Sequence, residues 1–237
     1  MLNTSSIHQL VLGMWEGTCC LKQQEGEEKK YLYYIFMDDD IVLQTKTRKN
    51  PWRVFEDFLM RTEPAVGIVD VTNNLRLPRV YESRKQRGCS LNETSDYIPT
   101  VHFDSAFNAF HYQAVDHILP YPCTFDNISW WFSGWYAIIK CEIVFSGQVV
   151  LHTELIANNP KHRPYPRKLL VTNTSDFYAI LNKVEVDLPE EYQNAHFLLE
   201  WKKDGIDHQK LSSTICLPPP PRMPIKPFAY LDRRSET

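Results

Sequence analysis

At 237 residues the chain is long enough for one sizeable core and marginal for two, and its 43% hydrophobic and 13% aromatic content fits a packed globular protein. A formal net charge of -3 and a pI near 6.2 exclude the basic footprint of a nucleic-acid binder or of a partner for anionic membrane surfaces. No run approaches the ~18 to 20 apolar residues of a membrane span, and sixteen prolines against eight glycines predict stiff, extended connections.

Near the start, Ile7, Leu10, Val11, Met14 and Trp15 are spaced three and four apart, which predicts a structural helix packed on a sheet, followed by a charged tail from Gln23 to Lys30. The run Tyr31-Leu32-Tyr33-Tyr34-Ile35-Phe36-Met37 then reads as a short strand buried on both faces, and it ends abruptly in Asp38, Asp39 and Asp40. In open α/β sheets that end of a strand is where ligands bind. Residues two apart on an extended segment point the same way, so Asp38 and Asp40 are placed to close on one hard cation, Mg²⁺ or Mn²⁺, while Asp39 faces elsewhere, towards a substrate. The competing reading is a solvated turn or helix cap with no ligand. Three like charges beside a buried strand favour the cation, because their mutual repulsion is otherwise relieved only by water.

The acidic triplet at the end of a hydrophobic strand resembles the nucleotide-sugar glycosyltransferases of the GT-A fold, whose hallmark is an Asp-x-Asp triplet in that position; the resemblance covers residues 7 to 170. It implies an α/β fold with a mixed, mostly parallel sheet flanked by helices. It also implies a divalent metal, Mn²⁺ or Mg²⁺, held chiefly by the last Asp, with the first near the ribose or the metal. A luminal enzyme of this kind begins with an anchor helix and a base-binding strand. Neither is visible before Tyr31, so the fold is expected to be incomplete at the N-terminus, with membrane attachment only through an anchor absent from this chain.

Beyond the triplet, Asn50-Pro51 precedes Trp52, Val54, Phe55, Phe58, Leu59 and Met60, an amphipathic helix with proline in its first turn, and Ala65 to Val71 follows as a buried strand, giving a β-α-β segment. From Arg76 to Ser95 the chain is a basic loop, read as solvated surface, the sharper alternative being a loop that reaches an anionic substrate. Ile98 to Val115 is expected to be a second pair of strands enclosing Asp104.

The stretch from Leu119 to Trp131 is forced into an extended loop by Pro120 and Pro122. Asp126 or Asn127 is placed to cap a helix starting near Ser129 that carries Trp131, Trp135, Ile138 and Ile139 inward. Alternatively Asp126 binds sugar hydroxyls beside Trp130 and Trp131, whose indoles cover an apolar sugar face. In an inverting transferase such a carboxylate deprotonates the acceptor hydroxyl, which puts Asp126 first as base, with Asp116 and Asp104 behind it.

Gly147 to Ile156 reads as a strand and Asn158 to Arg167 as a rigid basic loop. The resemblance implies a third metal ligand from this part of the chain, for which His162, in a loop, suits better than His152, inside a strand; Lys161, Arg163 and Arg167 are placed to neutralise the donor diphosphate. Residues from Ser175 to Lys203 resume helical spacing. Residues 1–216 are read as one domain and 217–237 as a Pro-rich tail in polyproline II form, an extended and mobile spacer or an SH3-type ligand.

Six cysteines show no paired zinc spacing and are read as buried thiols or partial disulfides. Asn-x-Ser/Thr sequons begin at Asn3, Asn92, Asn127 and Asn173 and point to an oxidising secretory lumen, the Golgi for an enzyme of this kind, although the N-terminus carries no signal pattern. The expected function is metal-dependent transfer of a glycosyl group from a nucleotide-sugar donor to a hydroxyl of a glycan or protein acceptor. The alternatives are an inactive carbohydrate-binding or structural protein and a phosphoryl hydrolase using the same carboxylates.

Overall fold

The structure, a computed structural model, describes residues 31–72, 81–82, 95–100, 103, 106–119, 123–125, 128–145, 148–160, 174–192 and 223, with backbone alone at 116, 123, 130, 174 and 191. Its strands are β1 (Tyr33–Met37), β2 (Val42–Thr45), β3 (Val66–Val71), β4 (Tyr97–Thr100), β5 (Phe107–His111) and β6 (Val149–Asn158). Its α-helices are α1 (Pro51–Thr62), α2 (Tyr112–Ile118), α3 (Trp130–Phe145) and α4 (Thr174–Asp187).

Local sequence explains the helix ends. Asn50 caps α1, its side chain accepting the N–H groups of Trp52 at 2.9 Å and Arg53 at 3.3 Å, and Pro51 presets the first turn. Phe55, Phe58, Leu59 and Thr62 then form the buried stripe. The helix stops at Glu63, which takes the left-handed conformation at φ 44° and donates its N–H to Leu59 O. In α2 the cap is His111, whose Nδ1 accepts the N–H of Gln113 at 3.2 Å. In α3 the Ser129 hydroxyl accepts the N–H of Trp131 at 3.2 Å, the role the sequence offered to Asp126 or Asn127.

The sheet runs β1-β5-β3-β6-β2, with β4 also on β6. Because β3 pairs along both halves of β6, β4 and β2 share the opposite edge, β4 on Val149–His152 and β2 on Leu155–Asn158. Only the β3–β6 pairing is parallel among the described strands; the others are antiparallel, which corrects the expectation of a mostly parallel sheet. The reason is physical. Two-sided burial, read from composition as the mark of a parallel sheet, reports only that both faces are covered. Strand direction is decided by the connections, and here β5 inserts antiparallel between β1 and β3, which themselves run the same way.

The sheet is also curled. β1 and β2 lie at opposite ends of the order, yet only residues 38–41 join them. Those steps reach at most about 18 Å fully extended, whereas a flat sheet would separate the two strands by about 19 Å. Ile41 N–H donating to Asp38 O at 3.2 Å shortens the reach further, so the strands must coil towards each other.

Alternation along the strands divides the core in two. On one face Tyr33, Ile35, Met37, Val69, Phe107, Ala109 and Val150 pack with Phe55, Phe58 and Leu59 of α1. On the other, Val66, Ile68, Phe110, Val149 and Leu151 pack with α2, α3 and α4. Helix α3 is buried nearly all round, and α4 lies against it through the Trp135–Phe177 contact and the hydrogen bond from Tyr136 OH to Asp187 at 2.8 Å.

Several expectations are met at their places: the buried strand before Val71, the strand ending near Ile156, and the helix stripe Phe177, Ile180, Leu181 and Val184. Two strands form within Ile98–Val115 as expected, β4 and β5, although they pair with different strands, and the last residues are corrected: from Tyr112 the chain is helical because His111 caps it. Met223, in the Pro-rich tail, is buried against the α3 face and donates its N–H to Glu63 O at 3.2 Å, so at that residue the tail is held rather than mobile. The expected helix over residues 7–30 and the core of the basic loop at 83–94 lie outside the described residues.

Candidate functional site

Because β1, β3 and β6 run the same way, their C-terminal ends form one rim of the curled sheet. The acidic triplet lies there. Asp38 N–H donates to Ala106 O at 3.0 Å, extending the β1–β5 ladder by one residue, and the Asp38 carbonyl then accepts from Ile41 to close a turn. Asp39, exposed, and Asp40, half-buried, occupy the middle of that turn. The extended geometry expected to aim Asp38 and Asp40 in one direction is therefore replaced by turn geometry, because β2 must leave along the curled sheet rather than continue β1.

Other rim residues escaped the sequence reading. Asp70 is 4% exposed, penultimate in β3, and its Oδ1 accepts the N–H of Val71 at 3.1 Å. A lone carboxylate inside the otherwise apolar run Val66–Val71 was the available signal. Trp52, in the first turn of α1, keeps 37% of its surface exposed and lies with its ring centroid 6.1 Å from that of Phe107, the register partner of Met37. An indole thus flanks the strand end that carries the triplet. Thr72 completes the rim, its N–H donating to Ala157 O at 3.0 Å.

The buried histidines are core residues. His152 Nδ1 accepts the N–H of Glu154 at 3.2 Å and its ring meets Phe58 edge-on at 5.0 Å. Burial holds its pKa below the usual value, against Asp96 and Glu154, which raise it. His111 lies in the same condition at the opposite end of the sheet: burial lowers its pKa, while Glu63, 3.7 Å from its Nε2, opposes the shift. His152 lies within β6, as expected of a strand residue.

Of the residues expected to act, the structure brings Asp38, Asp39 and Asp40 into one turn. Asp116 belongs to α2, which starts at the end of β5 remote from that turn, and its side chain is not described. Asp104, Asp126, Lys161, His162 and Arg163 lie outside the described residues. Among the described residues no group of three or more His, Cys, Asp or Glu side chains is arranged to hold a metal ion. Cys141 is a free thiol, fully buried in α3, and burial pushes its pKa up.

No protein-family profile matches the chain, and no curated protein matches it either. Among solved structures, the crystal structure of S. aureus TarS residues 1–349 aligns at 12% identity and a TM-score of 0.36, over 76% of this chain and 52% of that one. The chain thus spans about half of the TarS fragment, and a likeness at this level carries no argument about activity. What the fold and rim define is a curled, mixed α/β sheet with helices on both faces and an acidic turn beside an exposed indole.

Proposed function

We propose that the chain binds a nucleotide-sugar donor at this rim and transfers its glycosyl group to a hydroxyl of a glycan or protein acceptor, with a divalent cation. The observation that carries the reading is the Asp38–Ile41 turn at the C-terminal end of β1, which gathers three carboxylates where three co-directional strands end. Carboxylate oxygens are the donor type that Mn²⁺ and Mg²⁺ take, and among the described residues no three such side chains are arranged around one ion, so the site needs a ligand from beyond the turn. Asp38 and Asp40 would hold it, joined by His162, and when bound it would offset charge on the leaving diphosphate.

This chain's own residues do the rest. Asp39 faces the donor, and Lys161 and Arg163 neutralise its phosphates. The acceptor oxygen forms a bond to the anomeric carbon as the bond from that carbon to the diphosphate oxygen breaks. The acceptor proton passes to a carboxylate, that of Asp126. The compartment that suits this reading is the secretory lumen, where Asn92 or Asn173 would carry a glycan, detectable as an endoglycosidase-sensitive mass.

Calorimetric titration with UDP and with GDP in Mn²⁺ tests the site. Wild type is expected to bind one of them, and Asp40→Asn, which keeps the side chain's shape and removes its charge, to lose metal-dependent binding while melting at the same temperature. Equal affinity in both proteins counts against the acidic turn as the site.

A further inference from the structure

Strand β6 does not stay beside β3 along its length. Val69 pairs with His152, but Asp70, the next residue, pairs with Ile156, so Thr153, Glu154 and Leu155 bulge out of the parallel ladder where the far edge of β6 passes from β4 to β2. Peptide groups in such a bulge need partners from elsewhere. Thr153 donates its N–H to Asp96 O at 2.9 Å, just ahead of β4, and its carbonyl accepts from the Lys46 ammonium at 2.8 Å. Glu154 O accepts the N–H of Lys46 at 3.1 Å, while the Glu154 N–H turns to Nδ1 of His152 at 3.2 Å.

That last bond interrupts a pattern. Thr45 pairs with Leu155, so continuing the antiparallel register sets Lys46 opposite Glu154. In an antiparallel ladder, residues opposite each other and joined by such a bond belong to the kind of pair that exchanges two, N–H to carbonyl in each direction. Here one is made, from Lys46 N–H to Glu154 O, and the N–H that would return to the Lys46 carbonyl is taken by the imidazole. An imidazole accepts only while it is neutral, because both ring nitrogens of the cation are donors.

We propose that His152 is a proton-operated latch on the β2–β6 ladder. With the ring neutral, Nδ1 holds the Glu154 N–H and keeps the ladder open at its last pair. When a proton from solvent binds Nδ1, the Glu154 N–H is released to the Lys46 carbonyl and the pair closes. From this pair β2 leads back through Val42 to the acidic turn, so the latch acts on the strand that leaves the rim, whatever the rim binds.

The groups around the ring set where the latch operates. Phe58 of α1 meets it edge-on at 5.0 Å, and its register partners are Val69 of β3 and Tyr97 of β4. Among the charged groups, Asp96 ahead of β4 and Glu154 of β6 favour protonation, while Arg61 of α1 and Lys46 after β2 oppose it, and Arg61 is itself paired with Asp96. Burial outweighs the rest and puts the transition below the ordinary histidine value of about 6.5.

Heteronuclear NMR of the full chain, titrated from pH 7.5 to 5, tests this. In wild type the His152 ring nitrogens and the Glu154 amide are expected to trace one titration with a shared midpoint, and the amide to stay protected from solvent exchange on the acid side, where the Lys46 carbonyl holds it. His152→Asn, whose Oδ1 stands in for Nδ1 but takes up no proton, is expected to keep the Glu154 amide at its neutral-form position throughout. His152→Phe, which has no acceptor, is expected to keep it at the acid-form position throughout. Separate midpoints, a ring that stays neutral until the chain unfolds, a titration that persists in His152→Asn, or an amide at the neutral-form position in His152→Phe overturns the latch. An amide that loses its protection once His152 is protonated has passed to water and overturns the closing step. Should His152→Phe not fold, the contrast between wild type and His152→Asn decides by itself.

Discussion

Gly67 marks the closest approach of α1 to the sheet: a Cβ there would lie 2.3 Å from Leu59 Cδ2 and 3.3 Å from Phe58 Cε1. Both neighbours are essentially buried, so neither can swing aside into solvent. Gly67→Ala is therefore expected to destabilise by about 1–3 kcal/mol, the range for overpacking a filled core. Urea unfolding checks this. In a double-mutant cycle, Leu59→Ala should absorb much of the added methyl's cost, because the two changes share one contact. At the same scale, Glu63 holds a left-handed backbone that glycine or asparagine adopts more readily, and its carbonyl receives the N–H of Met223 from the tail.

Helix α1 was legible beforehand in its proline and in most of its apolar stripe, which are local signals, although Trp52 and Met60 of that stripe are exposed and the Asn50 cap emerged with the structure. The cap is testable by itself. Asn50→Ala is expected to cost about 1 kcal/mol by orphaning the N–H groups of Trp52 and Arg53, whereas Asn50→Asp should be close to neutral. Chemical denaturation of the three proteins separates these outcomes, and an Asn50→Ala variant as stable as wild type removes the capping argument. Helix α3 shows the opposite case. Its start near Ser129 was legible, but the side chain that accepts the N–H of Trp131 is that of Ser129 itself, where the sequence offered Asp126 or Asn127 as the cap.

Over the whole molecule, stability is expected to depend on pH through the two buried histidines. Burial lowers the pKa of both His111 and His152 in the fold, so the folded chain keeps them neutral while the unfolded chain takes up protons below about 6.5. Their contribution is complete above that value and is lost as pH falls towards the folded pKa values. For His152 the nearby Asp96 and Glu154 oppose the shift and Arg61 and Lys46 reinforce it, and for His111 Glu63 opposes it. The urea midpoint should fall between pH 7.5 and 5.5, and His152→Asn, which retains an acceptor for the Glu154 N–H, should flatten that fall. A slope unchanged by His152→Asn removes that histidine from the linkage.

Three buried strands, an amphipathic helix with proline in its first turn, and an acidic triplet at a strand end followed from the amino-acid sequence alone, because burial period, proline and charge are read within a few residues. Tertiary structure decided the rest. Whether a doubly buried strand runs parallel or antiparallel depends on which strand returns beside it, and here β5 came back between β1 and β3. Whether Asp38 and Asp40 face one way depends on where β2 must go, and the curl of the sheet turned the chain between them. Asn108 sits in the sequence among Phe107, Ala109 and Phe110 as one polar residue in a strand. Only the tertiary pairing places it between Phe36 and Ile68, since contacts between strands distant in sequence leave no local pattern to read.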